Sequence, residues 1–124
     1  MDITTKIKTF EDACEALGLD SQLEIPYPHP ASDRQKGINA AAKLFIIAEA
    51  LNEGWKPNWE DWDEYKYYPW FNMSAGGSGF SFLVYGYDDS LSDVGSRLVF
   101  RSRELAEYAG ETFLDIYRDW MLFG

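Results

Sequence analysis

At 124 residues, with 46% hydrophobic and 17% aromatic residues, the chain has the length and composition of one compact domain with a sizeable core. It has 11 basic and 21 acidic residues, and the net charge of −10 disfavours nonspecific binding to nucleic acid or to an anionic membrane. The single cysteine, Cys14, excludes an internal disulfide and a cysteine-based zinc cluster, which fits a reducing compartment.

The N-terminal sequence predicts a short helix and a strap. Thr9 and Asp12 form a variant of the capping box at the start of the helix, and Gly18 follows its end. The next segment, LEIPYPHPA from Leu23 to Ala31, is rich in proline, which removes amide donors and favours extended backbone. We therefore expect residues 1–31 to form a peripheral helix and a proline-rich strap.

These residues belong to a single predicted domain that spans residues 1–124. The first residues, MDITTKIKTFEDAC, lack the basic start and apolar core of a signal peptide. No uncharged apolar run approaches the length needed to cross a membrane. The sequence therefore predicts a cytoplasmic protein without a membrane partner.

A long second helix is predicted after the strap. Ser32 or Asp33 caps its start, and Gly54 follows its end near Asn52. Between residues 40 and 51 the sequence is almost continuously apolar, so the apolar stripe is too broad for a helix that rests on one neighbour. This helix is expected to be central, or to be shared between subunits.

Three β-like runs follow an acidic turn, Trp59 to Glu64. They cover Tyr65 to Met73, Gly79 to Tyr87 and Arg97 to Arg101, and the simplest interpretation is a three-stranded antiparallel meander. A glycine-rich connection, Ser74 to Ser78, joins the first two runs. Pro69 cannot donate to a strand ladder, so the first run is expected at an edge.

A last helix is predicted from Ser102 almost to the C-terminus. Gly110 costs about 1 kcal/mol inside a helix, which indicates close approach of a neighbour, and the alanines at 40–42 offer one. The resulting fold class is α+β, with N-terminal helices, a three-stranded antiparallel meander and a long C-terminal helix packed on one sheet face.

Alternation along the predicted strands defines two faces and one candidate surface. The expected core face carries Tyr67, Phe71, Phe80, Phe82, Val84, Leu98 and Phe100. The other face also carries Ser81, Leu83 and Val99, and it mixes rings and cations, which are typical of interface hot spots. Its candidate interaction residues are Lys66, Tyr68, Trp70, Tyr85, Tyr87, Arg97 and Arg101. Alternatively, this face is a second buried layer, packed under the first helix or the strap. In an oligomer interface the same face would be both buried and a binding surface.

A second candidate surface is acidic and lies along the last helix. Its members, spaced along one face, are Glu104, Glu107, Glu111, Asp115 and Asp119. The two candidate surfaces predict partners of opposite charge.

The sequence contains no catalytic, metal-binding or cofactor-binding signature. The acidic turn lacks the spacing of a calcium loop, and the SAGGSG loop leads into a strand rather than opening a helix as a phosphate loop does. His29 lies between two prolines without an adjacent nucleophile. We therefore expect no enzyme activity, no metal and no cofactor.

The segment GSRLVFRSRELAEYAGETFLDIYRDWML, from Gly95 to Leu122, resembles uncharacterised small proteins of phages and prophages from gut anaerobes. The preceding WEDWDEYKYYPWF and GFSF fit the same resemblance. It implies a phage-borne protein in the cytoplasm of a bacterial host, and it transfers no activity and no catalytic residue.

Three functional hypotheses follow. The first is a noncatalytic protein-interaction or assembly module, whose partner is another protein or a second copy of the chain. The second is an acidic mimic that occupies a nucleic-acid-binding protein. The third is an aromatic platform for single-stranded nucleic acid or oligosaccharide, although the acidic charge makes nucleic acid an unfavoured partner.

Overall fold

The computed structural model describes residues 2–73 and 80–122 and is an α+β fold. The glycine-rich connection predicted at 74–78 lies outside the described residues. Within the described ranges there are five helices and two strands. In chain order they are α1 (Ile3–Lys6), α2 (Phe10–Ala16), α3 (Asp33–Asn52), β1 (Lys66–Asn72), β2 (Ser81–Asp88), α4 (Arg103–Thr112) and α5 (Leu114–Met121).

Side chains cap the starts of α1, α2, α3 and α4, and the sequence predicts the caps of α2 and α3. The hydroxyl of Thr9 accepts the amide of Asp12 at 3.0 Å at the start of α2. Ser32 accepts the amide of Gln35 at 3.1 Å at the start of α3. These bonds pair amides that the first helical turn leaves without partners. The start of α1, capped by Asp2, was not predicted.

Helix α3 is the central element. It packs against α2, α4 and α5, and its residues Leu44, Ile47 and Leu51 are almost completely buried. The helix ends where Glu53 and Gly54 adopt positive φ angles of 51° and 88°. This left-handed turn sends the chain back along the end of α3.

The strap is fixed to α3 by one buried asparagine. The side chain of Asn39 accepts the amide of Tyr27 at 2.9 Å and donates to the carbonyl of Tyr27 at 2.8 Å. Both backbone groups of one extended residue are therefore paired by a single amide, as a neighbouring strand would pair them.

The predicted C-terminal helix is divided in two at Phe113. This residue has φ −109° and ψ 30°, and its buried ring meets Tyr108 edge-on. The interruption lets α4 pack on the two strands while α5 packs along α3. Neither proline nor glycine occupies the break, so the sequence gives no local signal for it.

The predicted three-stranded meander is not confirmed. In the part of the chain that the structure describes, β1 and β2 form a two-stranded antiparallel sheet, and the third run contributes one bridge, between Phe100 and Tyr67. This bridge lies on the edge of β1 opposite β2. Pro69, two residues after Tyr67, faces the same edge and has no amide to donate, so the ladder stops there.

A side chain replaces a strand partner on the other side of Phe100. The buried Asn52 donates to the carbonyl of Val99 at 2.9 Å and accepts the amide of Arg101 at 3.0 Å. The segment 99–101 is thus held between β1 and the end of α3, and it needs no third strand to satisfy its backbone.

Gly110 allows α4 to approach the sheet. A β-carbon at this position would lie 2.8 Å from the β-carbon of Pro69 and would also collide with the ring of Phe82. The sequence correctly indicates a close neighbour at Gly110, but this neighbour is the sheet and not the alanines of α3.

Candidate interaction surface

A β-bulge in the hairpin determines which residues share a face. Trp70 pairs with Val84, whereas the next residue, Phe71, pairs with Phe82, so Leu83 is an extra residue in β2. Paired residues of an antiparallel ladder point to the same side. From Val84 onwards, each residue of β2 therefore points to the face opposite to the one that regular alternation from Phe82 would give it.

The bulge places Tyr85 and Tyr87 on the same face as Tyr67 and Pro69, which α4 covers. There they join an aromatic cluster: the rings of Tyr85 and Tyr87 lie 5.7 and 6.1 Å from that of Tyr67. Tyr65 adds a ring 4.8 Å from Tyr87. The structure therefore separates Tyr85 and Tyr87 from the candidate residues of β1, while it brings Val84 to the opposite face.

That opposite face, which we call the outer face, carries Lys66, Tyr68 and Trp70 of the predicted surface. Lys66 is completely buried: its Nζ donates to the carbonyl of Asp61 at 3.0 Å and lies 5.2 Å from the ring centre of Trp59. Glu64 approaches the same Nζ to 3.5 Å. Lys66 thus links the acidic turn to the sheet, and its buried ammonium group is not accessible to a partner.

Tyr68 is also buried on the outer face. Its ring lies over Gly86, where a β-carbon would be 2.6 Å from the ring, and its hydroxyl donates to Asp88 at 3.2 Å. Burial, followed by the charge of Asp88 and this hydrogen bond, raises the pKa of Tyr68 to about 12. The phenol therefore stays neutral over the whole physiological range.

Arg97 and Arg101 lie beside the C-terminal half of α3 and not on the sheet. The guanidinium of Arg97 is 5.9 Å from the ring centre of Phe45. Arg101 forms an ion pair with Glu53 at 2.6 Å. Of the seven predicted interaction residues, Trp70 is the one that is exposed on the outer face, with 48% of its surface accessible.

The candidate residues did not include the two exposed neighbours of Trp70, although the alternation had placed one of them, Leu83, on the same face as Trp70. Val84 and the bulged Leu83 are 46% and 61% exposed. We call Trp70, Leu83 and Val84 the hairpin patch. A signal for it was present in the sequence, because no charged residue occurs from Tyr67 to Tyr87 in a chain that is 26% charged.

The predicted acidic surface is carried by two helices. Glu104 and Glu111 of α4 and Asp115 and Asp119 of α5 are exposed, whereas Glu107 is half-buried. Two of the charges are offset locally, since Arg103 lies 3.1 Å from Glu104 and Arg118 lies 3.2 Å from Asp115. A hydrogen bond from its own backbone amide, followed by the hydrogen bond and charge of Arg103, lowers the pKa of Glu104.

Hydrogen bonds from backbone amides to nearby side chains hold the acidic turn in shape. Asp61 accepts the amide of Asp63 at 2.9 Å, and Asn58 accepts the amide of Glu60 at 3.0 Å. Glu64 accepts the amide of Asn58 at 2.7 Å. Across residues 2–73 and 80–122, no group of three or more histidine, cysteine, aspartate or glutamate side chains is arranged to hold a metal ion.

A cleft of about 780 Å³ lies away from the hairpin, between the N-terminal helices and the C-terminal half of α3. The turn 53–57 and the segment 96–97 complete its walls. Its apolar lining includes Leu17, Phe45, Ala50, Trp55 and Pro57, and its charged lining is Lys6, Glu49, Glu53, Lys56 and Arg97. The volume lies within the range of small-molecule sites.

Comparisons of the chain with protein-family models, with curated proteins and with solved structures found no match. None of the helices in the described ranges has both the length and the apolar character needed to cross a bilayer.

Proposed function

We propose that the protein is a noncatalytic assembly module that associates with a second copy of itself through the hairpin patch. The supporting observation is an exposed apolar group, Trp70, Leu83 and Val84, on a hairpin whose described residues from Tyr67 to Tyr87 carry no charge. Exposed apolar surface of this kind is typical of interaction sites in soluble proteins.

The charge distribution restricts contact with a second copy to an uncharged surface. Each chain carries a net charge of −10, so two copies repel each other over most of their surfaces. Contact through an uncharged hairpin keeps the acidic turn and the acidic helices out of the interface. A basic partner would find no carboxylate to pair with on the hairpin patch itself.

The patch is also suited to a two-fold contact. In such a contact the same residues face each other across the axis, so Trp70 and Val84 of one copy meet the same apolar residues of the other. The patch is smaller than the roughly 800 Å² per partner of a standard interface. We therefore expect a weak dimer, with a Kd on the order of 10 µM to 1 mM.

Light-scattering mass measured over a concentration range, at low and at high salt, tests this function. The expected result is a mass that rises with concentration towards the dimer and that high salt does not reduce, because no ion pair is involved. A monomeric mass at every concentration up to about 1 mM would refute the proposal.

Matched variants locate the interface. Trp70→Ala should abolish the dimer, whereas Trp62→Ala should not, since Trp62 is 56% exposed but lies on the acidic turn. Leu83→Ser and Leu91→Ser form a second pair of similarly exposed leucines, at 61% and 68%. Equal loss of association in both members of each pair would exclude the hairpin patch as the interface.

A further inference from the structure

The cleft at the end of α3 combines accessible rings with cations. Phe45 is 40% exposed and Trp55 is half-buried, so both rings border the space. The amide of Trp55 donates to the carbonyl of Asn52 at 3.0 Å, which fixes the turn that carries its ring. Arg97 lies over Phe45, and this contact holds a planar guanidinium at the wall of the cleft.

The cations of the cleft are not neutralised by carboxylates of the described chain. No acidic side chain within residues 2–73 and 80–122 lies within 4.0 Å of Lys6, Lys56 or Arg97. Of the two carboxylates that line the space, Glu53 is paired with Arg101 at 2.6 Å, which leaves Glu49. The cleft is thus a cationic site on a strongly acidic protein.

We infer that this cleft binds a small anion that carries a planar ring, the chemistry shared by a nucleoside monophosphate and an aromatic carboxylate. The ring would stack against Trp55 or the guanidinium of Arg97, and the anion would face Lys6 and Lys56. A small ligand is favoured over a polyanion because the net charge of −10 repels a long chain of phosphates.

The first experiment measures the chemical shift of the Trp55 indole N–H during titration of the whole chain, with the signal assigned by Trp55→Phe. The probes are adenosine 5′-monophosphate and phenylacetate, and the half-ligand controls are adenosine and inorganic phosphate. We expect saturable binding of at least one complete probe in the millimolar range or tighter, and binding at least tenfold weaker for the half-ligands. Saturation by the nucleotide alone identifies a phosphate monoester, and saturation by phenylacetate alone identifies a carboxylate.

Charge-neutral variants then test the assigned cations. Arg97→Gln and Lys56→Gln should each weaken binding of the responding probe at least fivefold, whereas Arg34→Gln should not, because Arg34 is exposed and lies outside the cleft. Trp55 signals that move with none of the probes, or equal affinities in all three variants, would overturn the inference. The result is independent of dimer formation, since no residue of the hairpin patch lines the cleft.

Discussion

Replacing Asn52 by alanine tests whether one side chain substitutes for the missing third strand. The variant removes the bonds to the carbonyl of Val99 and the amide of Arg101, 2.9 and 3.0 Å long. A buried backbone group left without a partner costs about 1–3 kcal/mol. Val99 is buried and loses its partner outright, whereas the exposed Arg101 regains water for its amide in part.

We therefore expect Asn52→Ala to lower the free energy of unfolding by about 3 kcal/mol, a large share of the 5–15 kcal/mol typical of a domain. Urea unfolding followed by circular dichroism measures it, and the midpoint should fall by about 2 M if the m value is about 1.5 kcal/mol/M. The m value itself should be unchanged, because the same surface is exposed on unfolding.

Asn39→Ala is the matched control. Asn39 also pairs two backbone groups, but both belong to the half-buried Tyr27 in a largely exposed strap, so the expected loss is about 1 kcal/mol. Asn52→Asp adds a second comparison, since it retains the acceptor for Arg101 and sets a carboxylate against the carbonyl of Val99. A loss below about 1 kcal/mol in Asn52→Ala, or one equal to that of Asn39→Ala, would refute the substituted-strand argument.

Two further predictions concern the packing of the hairpin. Gly110→Ala should destabilise the protein by about 1 kcal/mol in urea unfolding, because the clash with Pro69 and Phe82 outweighs the gain in helix propensity; a more stable variant would show that the sheet yields without cost. Tyr68 should titrate at about pH 12, above the ordinary value of 10, in absorbance at 295 nm, with Tyr68→Phe to assign the signal. The folded state holds the phenol proton of Tyr68 more tightly than the unfolded chain does, so the neutral phenol stabilises the folded state. This contribution to stability is complete below pH 10 and is lost between pH 10 and 12. Asp88→Asn should lower this pKa only part of the way, since burial is the larger cause, and an unchanged pKa would count against the Asp88 contact.

The sequence predicts the helices better than the sheet because helix signals are local. The helix starts were predicted at Thr9, at Ser32 or Asp33, and near Ser102, and in the structure Thr9, Ser32 and Ser102 each cap a helix. The break at Phe113 carries no such signal, because it depends on what α4 and α5 must each contact.

The candidate surface was harder to predict because it depends on register. Alternation assigns faces correctly only while a strand is regular, and the extra residue at Leu83 reverses the assignment for Val84, Tyr85 and Tyr87. Arg97 and Arg101 were assigned to a strand that is reduced to a single bridge. Trp70 was placed correctly because it precedes the irregularity.

The two asparagines of α3 have a mechanical consequence. Asn39 and Asn52 are 13 residues apart, about 20 Å along the helix, and they grip segments that lead towards opposite ends of the chain. Tension applied between the termini would first load the contacts of α2 and α5 with α3, because these helices lie nearer the ends of the chain than the two segments that the asparagines hold. The two asparagines would be loaded next, while the hairpin lies outside the shortest path of force. In a pulling experiment, α2 and α5 should therefore detach first, and the hairpin should keep its shape until the hydrogen bonds of Asn52 break.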